Sequence, residues 1–163
     1  MAKLPILLFG DPRLRQKAKR VRGVDSSVRR LADDLLETMR AASGVGLAAP
    51  QVGQLLRVIV IELPEQEPIV LINPEIVKRT GEREVVEGCL SFPGYWGKIK
   101  RAVAVTAKGY DLKGRPVRLK ATDLLAQCLE HEIDHLNGIL YIDYLKSEED
   151  LYRSEGPPAK SDL

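Results

Sequence analysis

The chain contains two histidines, His131 and His135, and both stand in the run His131-Glu132-Ile133-Asp134-His135. Residues four apart lie one turn above each other on a helix, so both imidazoles can face one cation while Glu132 projects beside them. This is the H-E-x-x-H arrangement, in which the histidines hold a metal and the glutamate serves as general base toward water. Hydrolysis is the chemistry that such residues perform. A hydrolytic centre usually has three protein ligands and keeps one position for water, so another segment must supply a third donor. Cys128 shares a helical face with His131. Three ligands along one straight helix from 128 to 135 would span about 10 Å at roughly 1.5 Å per residue, too far to converge on bonds of about 2 Å. Cys128 therefore reads as a small apolar residue of the core or of a pocket wall. Glu148, Glu149 and Glu155 have the character of tail charges, and Tyr141 stands where a longer protease pattern has a third histidine. Cys89, in Glu87-Gly88-Cys89-Leu90-Ser91, is the best third ligand. Two rivals stay open: a zinc peptidase that draws a glutamate from the tail, and a structural site whose fourth position is closed by protein.

These residues need elements to position them. Asp25-Ser26-Ser27 offers a helix cap, and Val28, Leu31, Ala32, Leu35, Leu36 and Met39 then recur at helical spacing through to Ala42. Residues 43 to 51 read as a loop, opened by Gly44 and Gly46. Leu56 to Ile61 and Ile69 to Ile72 are rich in branched apolar residues and read as strands, and Ile76 to Val86 reads as extended. Ala102 to Tyr110 and Pro116 to Ala121 flank the turn formers 111 to 115 and suggest an antiparallel hairpin. The second helix runs from about Thr122 or Asp123 to Leu136, with Asn137-Gly138 as a left-handed stop. The expected fold is α+β, with mainly antiparallel sheets packed around a central helix that carries the H-E-x-x-H motif.

Length and composition set limits. At 163 residues and 18.1 kDa the chain fits one domain, expected to span 1–163 with a flexible tail after about 146. Hydrophobic residues at 44% and charged residues at 29% exclude a disordered or membrane chain. No apolar run approaches the ~18 residues of a membrane span and no signal peptide opens the sequence, so a cytoplasmic location is expected. The two cysteines then suit metal binding or catalysis better than a disulfide. A formal charge of +2 gives little support to nucleic-acid recognition. The basic run Arg13, Arg15, Lys17, Lys19, Arg20 and Arg22 has no aromatic interleaving and reads as a solvated segment.

Three segments together resemble the peptide deformylase family: Gly44-Val45-Gly46-Leu47-Ala48-Ala49-Pro50-Gln51, Glu87-Gly88-Cys89-Leu90-Ser91, and Gln127 through His131-Glu132-Ile133-Asp134-His135-Leu136-Asn137-Gly138. Their order matches, and Asp11-Pro12-Arg13-Leu14-Arg15 is similar to the family's opening. The resemblance implies a metal-dependent hydrolase that removes the formyl group from the N-terminal formylmethionine of new polypeptides and releases formate. Its metal ligands are then Cys89, His131 and His135, around one divalent ion, ferrous iron by family habit, with zinc, nickel or cobalt able to occupy the site. Glu132 is the implied general base and acid.

The same resemblance assigns stabilisation of the formyl oxygen to the Gln51 side-chain amide and the Leu90 backbone N–H. It lays an extended peptide against Val45, Gly46 and Gly88, and it lines the methionine pocket with Val45, Val85, Leu124, Cys128 and His131. Glu87 is implied as a supporting carboxylate, whereas Asp134 reads as an exposed helix charge. The partners implied are N-formylmethionyl nascent peptides and, in transit, the ribosome. After Ser91 the chain reads Phe92-Pro93-Gly94-Tyr95-Trp96-Gly97, where many members have an arginine near position 96. The tail is short and broken by Pro157-Pro158, unlike the longer basic helix by which some members contact the ribosome.

Overall fold

The computed structural model describes residues 2–153. The Asp25 carboxylate accepts hydrogen bonds from the Ser27 and Val28 N–H groups, which starts helix α1 (Ser26–Ala41) at the expected cap. Its stripe of Val28, Leu31, Leu35, Leu36 and Met39 is buried against Leu47, Val58, Val60 and Ile72, so α1 packs by one face.

Strands β1 (Gly46–Ala48), β2 (Val58–Ile61), β3 (Ile69–Thr80), β6 (Ala104–Tyr110) and β7 (Pro116–Thr122) form a five-stranded sheet in the order β1-β2-β3-β6-β7. Strands β4 (Arg83–Cys89), β5 (Phe92–Arg101) and β8 (Leu151–Arg153) form a second sheet in the order β4-β5-β8. Every paired strand is antiparallel, so the class is α+β with antiparallel sheets.

Some boundaries differ from the sequence reading, each for a local reason. Residues 46–48 are a strand within the expected loop, because Gly46, Leu47 and Ala48 pair with Ile61, Val60 and Ile59. Only one of those three residues, Leu47, carries a large apolar side chain. The stretch from Ile76 to Val86 divides into the end of β3 and the start of β4, with Gly81 at φ +69° in the turn between them. Strand β5 escaped the sequence reading because Pro93, Gly94 and Gly97 interrupt it. Leu151–Arg153 pair with β5 at Gly97, Trp96 and Tyr95, within the segment expected to be a flexible tail. The rest of that expectation, from residue 154 on, lies outside the described residues.

Helix α2 (Asp123–Leu136) touches all the strands of the five-stranded sheet. Ala126, Leu129, Ile133 and Leu136 bury themselves with Ile59, Ile61, Leu71, Val105, Ala107 and Ala121. Unlike α1, it is buried all round from Ala126 to Leu136, polar residues included. Buried polar groups need partners: His131 meets Glu87 of β4, Asp134 meets Arg101 of β5, and Glu130 meets Arg79 of β3 and the Ala102 N–H.

The helix ends in a Schellman turn: Gly138 N–H donates to His135 O at 3.2 Å and Ile139 N–H to Asp134 O at 2.9 Å. Gly138 takes the left-handed conformation, φ +72°, and a Cβ there would strike the Arg15 carbonyl. Gly138→Ala is expected to destabilise the protein by about 1–3 kcal/mol through backbone strain. Urea unfolding of the two proteins side by side measures it, and an unshifted midpoint would show that the turn accepts a side chain.

Candidate metal centre and active site

Strand β4 alternates in pleat, which buries Val85 and Glu87 and brings Glu87 to His131 of α2. A register shift between Glu87 and Cys89 re-aims the chain at the hairpin tip, where Cys89 pairs with Phe92. On α2, His131 and His135 stand one turn apart with ring centroids 5.0 Å apart. The Cys89 Sγ and one nitrogen of each imidazole lie within 4.8 Å of one another, and all three residues are buried. Cys89 Sγ is 3.3 Å from His135 Nε2. His131 Nδ1 meets Glu87 Oε1 at 2.7 Å, which leaves its Nε2 to face the cluster. One thiol and two imidazoles at this separation suit a divalent cation of borderline softness.

Beside them, the Glu132 carboxyl is buried and its Oε1 has no hydrogen-bond partner among the described residues. Burial pushes this carboxyl up to about 7, with His131 working in the opposite direction. Gly46 of β1 makes room for it: a Cβ on Gly46 would lie 2.5 Å from Glu132 Oε2. Gln51, in the 3-10 turn Ala49–Val52 that follows β1, is 1% exposed. Its Oε1 accepts from Ala48 N–H at 3.0 Å, which directs its Nε2 toward Ser91 Oγ at 3.0 Å and Cys89 Sγ at 3.5 Å. Leu90, next to Cys89 at the hairpin tip, sets its side chain against Gly44.

The residues expected to line a methionine pocket fall into separate groups. Val45 and Cys128 share one apolar cluster with Leu124 against it, while Val85 lies with Cys89, Ile99 and Tyr141. Gly88 is covered by the Trp96 ring.

The expectation that Asp134 is an exposed helix charge is corrected. Asp134 is 8% exposed, and its Oδ2 accepts from Arg101 Nη1 and from the Tyr144 hydroxyl, each at 2.8 Å. Arg101 also donates through Nε and Nη2 to the two Glu87 oxygens at 2.7 Å each. Burial works to raise the Glu87 carboxyl, but the Arg101 charge and its paired hydrogen bonds win and hold it at about 2. Burial likewise opposes the Arg101 charge, and Glu87 with Asp134 more than offsets it, so the guanidinium stays above its ordinary range. Sequence reasoning assigned no role in the site to Arg101, Tyr144 or Ser91. For Arg101 one signal was available: Asp134 sits three residues after His131, on a helix whose other face is apolar, and so needs a cation.

A buried carboxylate beside three residues that could hold a cation is equipment for activating water, the chemistry of a metal-dependent hydrolase. The family model for Polypeptide deformylase matches residues 3–150. The chain belongs to the peptide deformylase family, whose enzymes remove the N-formyl group from nascent peptides. A peptide deformylase of Dehalococcoides mccartyi (strain CBDB1) is 57% identical over 153 residues, 93% of this chain and 92% of the relative. One of Thermomicrobium roseum is 52% identical over 159 residues, covering 93% and 90%. The crystal structure of a Legionella pneumophila peptide deformylase superposes with a TM-score of 0.87 at 48% identity over 91% of this chain and 89% of that one. That of the Synechococcus elongatus enzyme, in complex with actinonin, gives 0.88 at 44% identity over 92% and 82%.

Replacing Arg101 by Met would strand two buried carboxylates without a cation. A loss of about 3–5 kcal/mol is expected, the usual result of removing one partner of a buried pair. Thermal and urea unfolding measure it, and a loss below about 1 kcal/mol would mean that the carboxylates find other partners.

Proposed function

We propose that Cys89, His131 and His135 hold one divalent metal and that Glu132 carries the proton in deformylation. The observation that carries this reading is the thiol and two imidazoles within 4.8 Å, beside a buried carboxylate oxygen that no other group among the described residues engages. When bound, the ion supplies Lewis acidity, lowering the pKa of water and polarising the formyl carbonyl. Ferrous iron is the ion assigned, with zinc, nickel and cobalt as substitutes.

Glu132 takes a proton from the attacking water as its oxygen bonds to the formyl carbon. The same carboxyl then returns that proton to the departing amine as the C–N bond breaks, which leaves formate and a free N-terminus. The Gln51 amide N–H and the Leu90 backbone N–H steady the formyl oxygen as it gains charge. The neighbouring Ser91 hydroxyl and the Ala48 N–H support this by fixing the Gln51 amide from both ends.

The peptide adds as an extended strand beside Val45, Gly46 and Gly88, so its backbone supplies affinity and later side chains vary freely. Val45, Val85, Leu124 and Cys128 bound the methionine pocket, with His131 at its floor. Helix α2 is the central element around which both sheets pack, in one catalytic domain. We place the enzyme in the cytoplasm, acting on nascent chains with at most a passing contact to the ribosome. Among the described residues no helix is long and apolar enough to cross a membrane.

Formate release from a formyl-methionyl peptide under anaerobic conditions tests the reading, with an acetyl-methionyl peptide as control. Glu132→Gln is expected to keep the metal and lose at least about 100-fold in turnover, within the range for general acid–base catalysis. Cys89→Ala is expected to lose the metal by elemental analysis, while Cys128→Ala retains it. Metal retention by Cys89→Ala, with loss on truncation of the tail, would assign the centre to a peptidase-like ligand set instead. Actinonin, bound in the Synechococcus elongatus structure, is expected to compete with the formyl peptide here.

A further inference from the structure

Hydrogen bonds run without a gap from the surface to one imidazole of the centre. The Tyr144 hydroxyl donates to Asp134 Oδ2 at 2.8 Å, and the same oxygen accepts from Arg101 Nη1 at 2.8 Å. Arg101 grips both oxygens of Glu87, and Glu87 Oε1 meets His131 Nδ1 at 2.7 Å. Every member is buried except Tyr144, which is 40% exposed.

Tyr144 holds this chain in a second way. The Arg101 guanidinium carbon lies 4.9 Å from the centroid of the Tyr144 ring, so ring and hydroxyl act on the same pair. The tyrosine is itself fixed from the N-terminal side. It closes the 3-10 turn Tyr141–Tyr144, whose Asp143 receives two hydrogen bonds from Arg15, at 2.6 and 3.0 Å, and one from Leu140 N–H at 3.0 Å. Arg15, an exposed member of the basic run, thus pairs with this turn.

We propose that Tyr144 is a positioning residue for the metal centre: its hydroxyl fixes Asp134, which sets Arg101 and Glu87 and through them the orientation of the His131 ring. The inference rests on the reading of His131 as a ligand. Arg101 is shared between two carboxylates, so Asp134 must stay in place for the guanidinium to remain square to Glu87. Without the hydroxyl, Asp134 is free to turn with Arg101 and draw it off Glu87. Outer partners of metal-binding histidines commonly control affinity by 10- to 100-fold, and a residue several bonds removed belongs at the lower end.

The test loads wild-type protein, Tyr144→Phe and Tyr144→Leu with cobalt and follows loss of the thiolate-to-cobalt absorption under excess chelator. Formate release is measured on the same samples. Tyr144→Phe keeps the ring over Arg101 and removes only the hydroxyl. It is expected to release cobalt about tenfold faster. Its kcat should fall several-fold with KM unchanged, and its melting curve should stay near that of the wild type. Cobalt loss unchanged in Tyr144→Phe but accelerated in Tyr144→Leu would show that the ring acts by packing alone and would overturn the role of the hydroxyl. Wild-type protein that neither binds cobalt through Cys89 nor releases formate would instead overturn the reading of the centre itself.

Discussion

Arg101 between Glu87 and Asp134 is the interaction on which the rest of the structure depends. Removing three charges from water is expensive, and only close, well-directed pairing repays it. That pairing forces β4, β5 and α2 into fixed relative positions, because Glu87 lies on the first, Arg101 on the second and Asp134 on the third. Once the three elements are locked, His131 and His135 on the helix face Cys89 at the hairpin tip. The meeting of one thiol and two imidazoles is thus a consequence of charge satisfaction as much as of apolar packing.

The same neighbourhood sets two carboxylates to opposite tasks. Glu87 is engaged on both oxygens by a guanidinium and stays ionised. Glu132, as deeply buried, has one oxygen with no partner among the described residues and is held near neutrality by its environment. One group is thereby suited to orienting a histidine and the other to exchanging a proton. Gly46 contributes by absence, since any side chain on β1 at that point would press on the carboxyl of Glu132.

Much of the fold was legible because its signals are local. Asp25 caps α1 through backbone amides two and three residues on, and Asn137-Gly138 stops α2 within one turn. Strands β2, β6 and β7 announce themselves by branched apolar residues and by the turn between them. Strand β5 was hidden, because its proline and two glycines are tolerated only by a hairpin whose partner, β4, supplies the missing propensity. The short strands β1 and β8 exist for the same kind of reason: each is defined by the neighbour it pairs with.

For the site, residue types and spacing alone determined that two imidazoles and a glutamate share a helix and that Cys128 cannot join them at a metal. Those conclusions follow from helical periodicity, which acts over a few residues. Only the tertiary structure decided that Asp134 points inward, that Arg101 lies between two carboxylates, and that Tyr144 reaches back to the same group. Whether a charge is solvated or buried depends on what packs above it. For Asp134 the covering residues lie 33 positions before it and 10 after, beyond the reach of any local pattern.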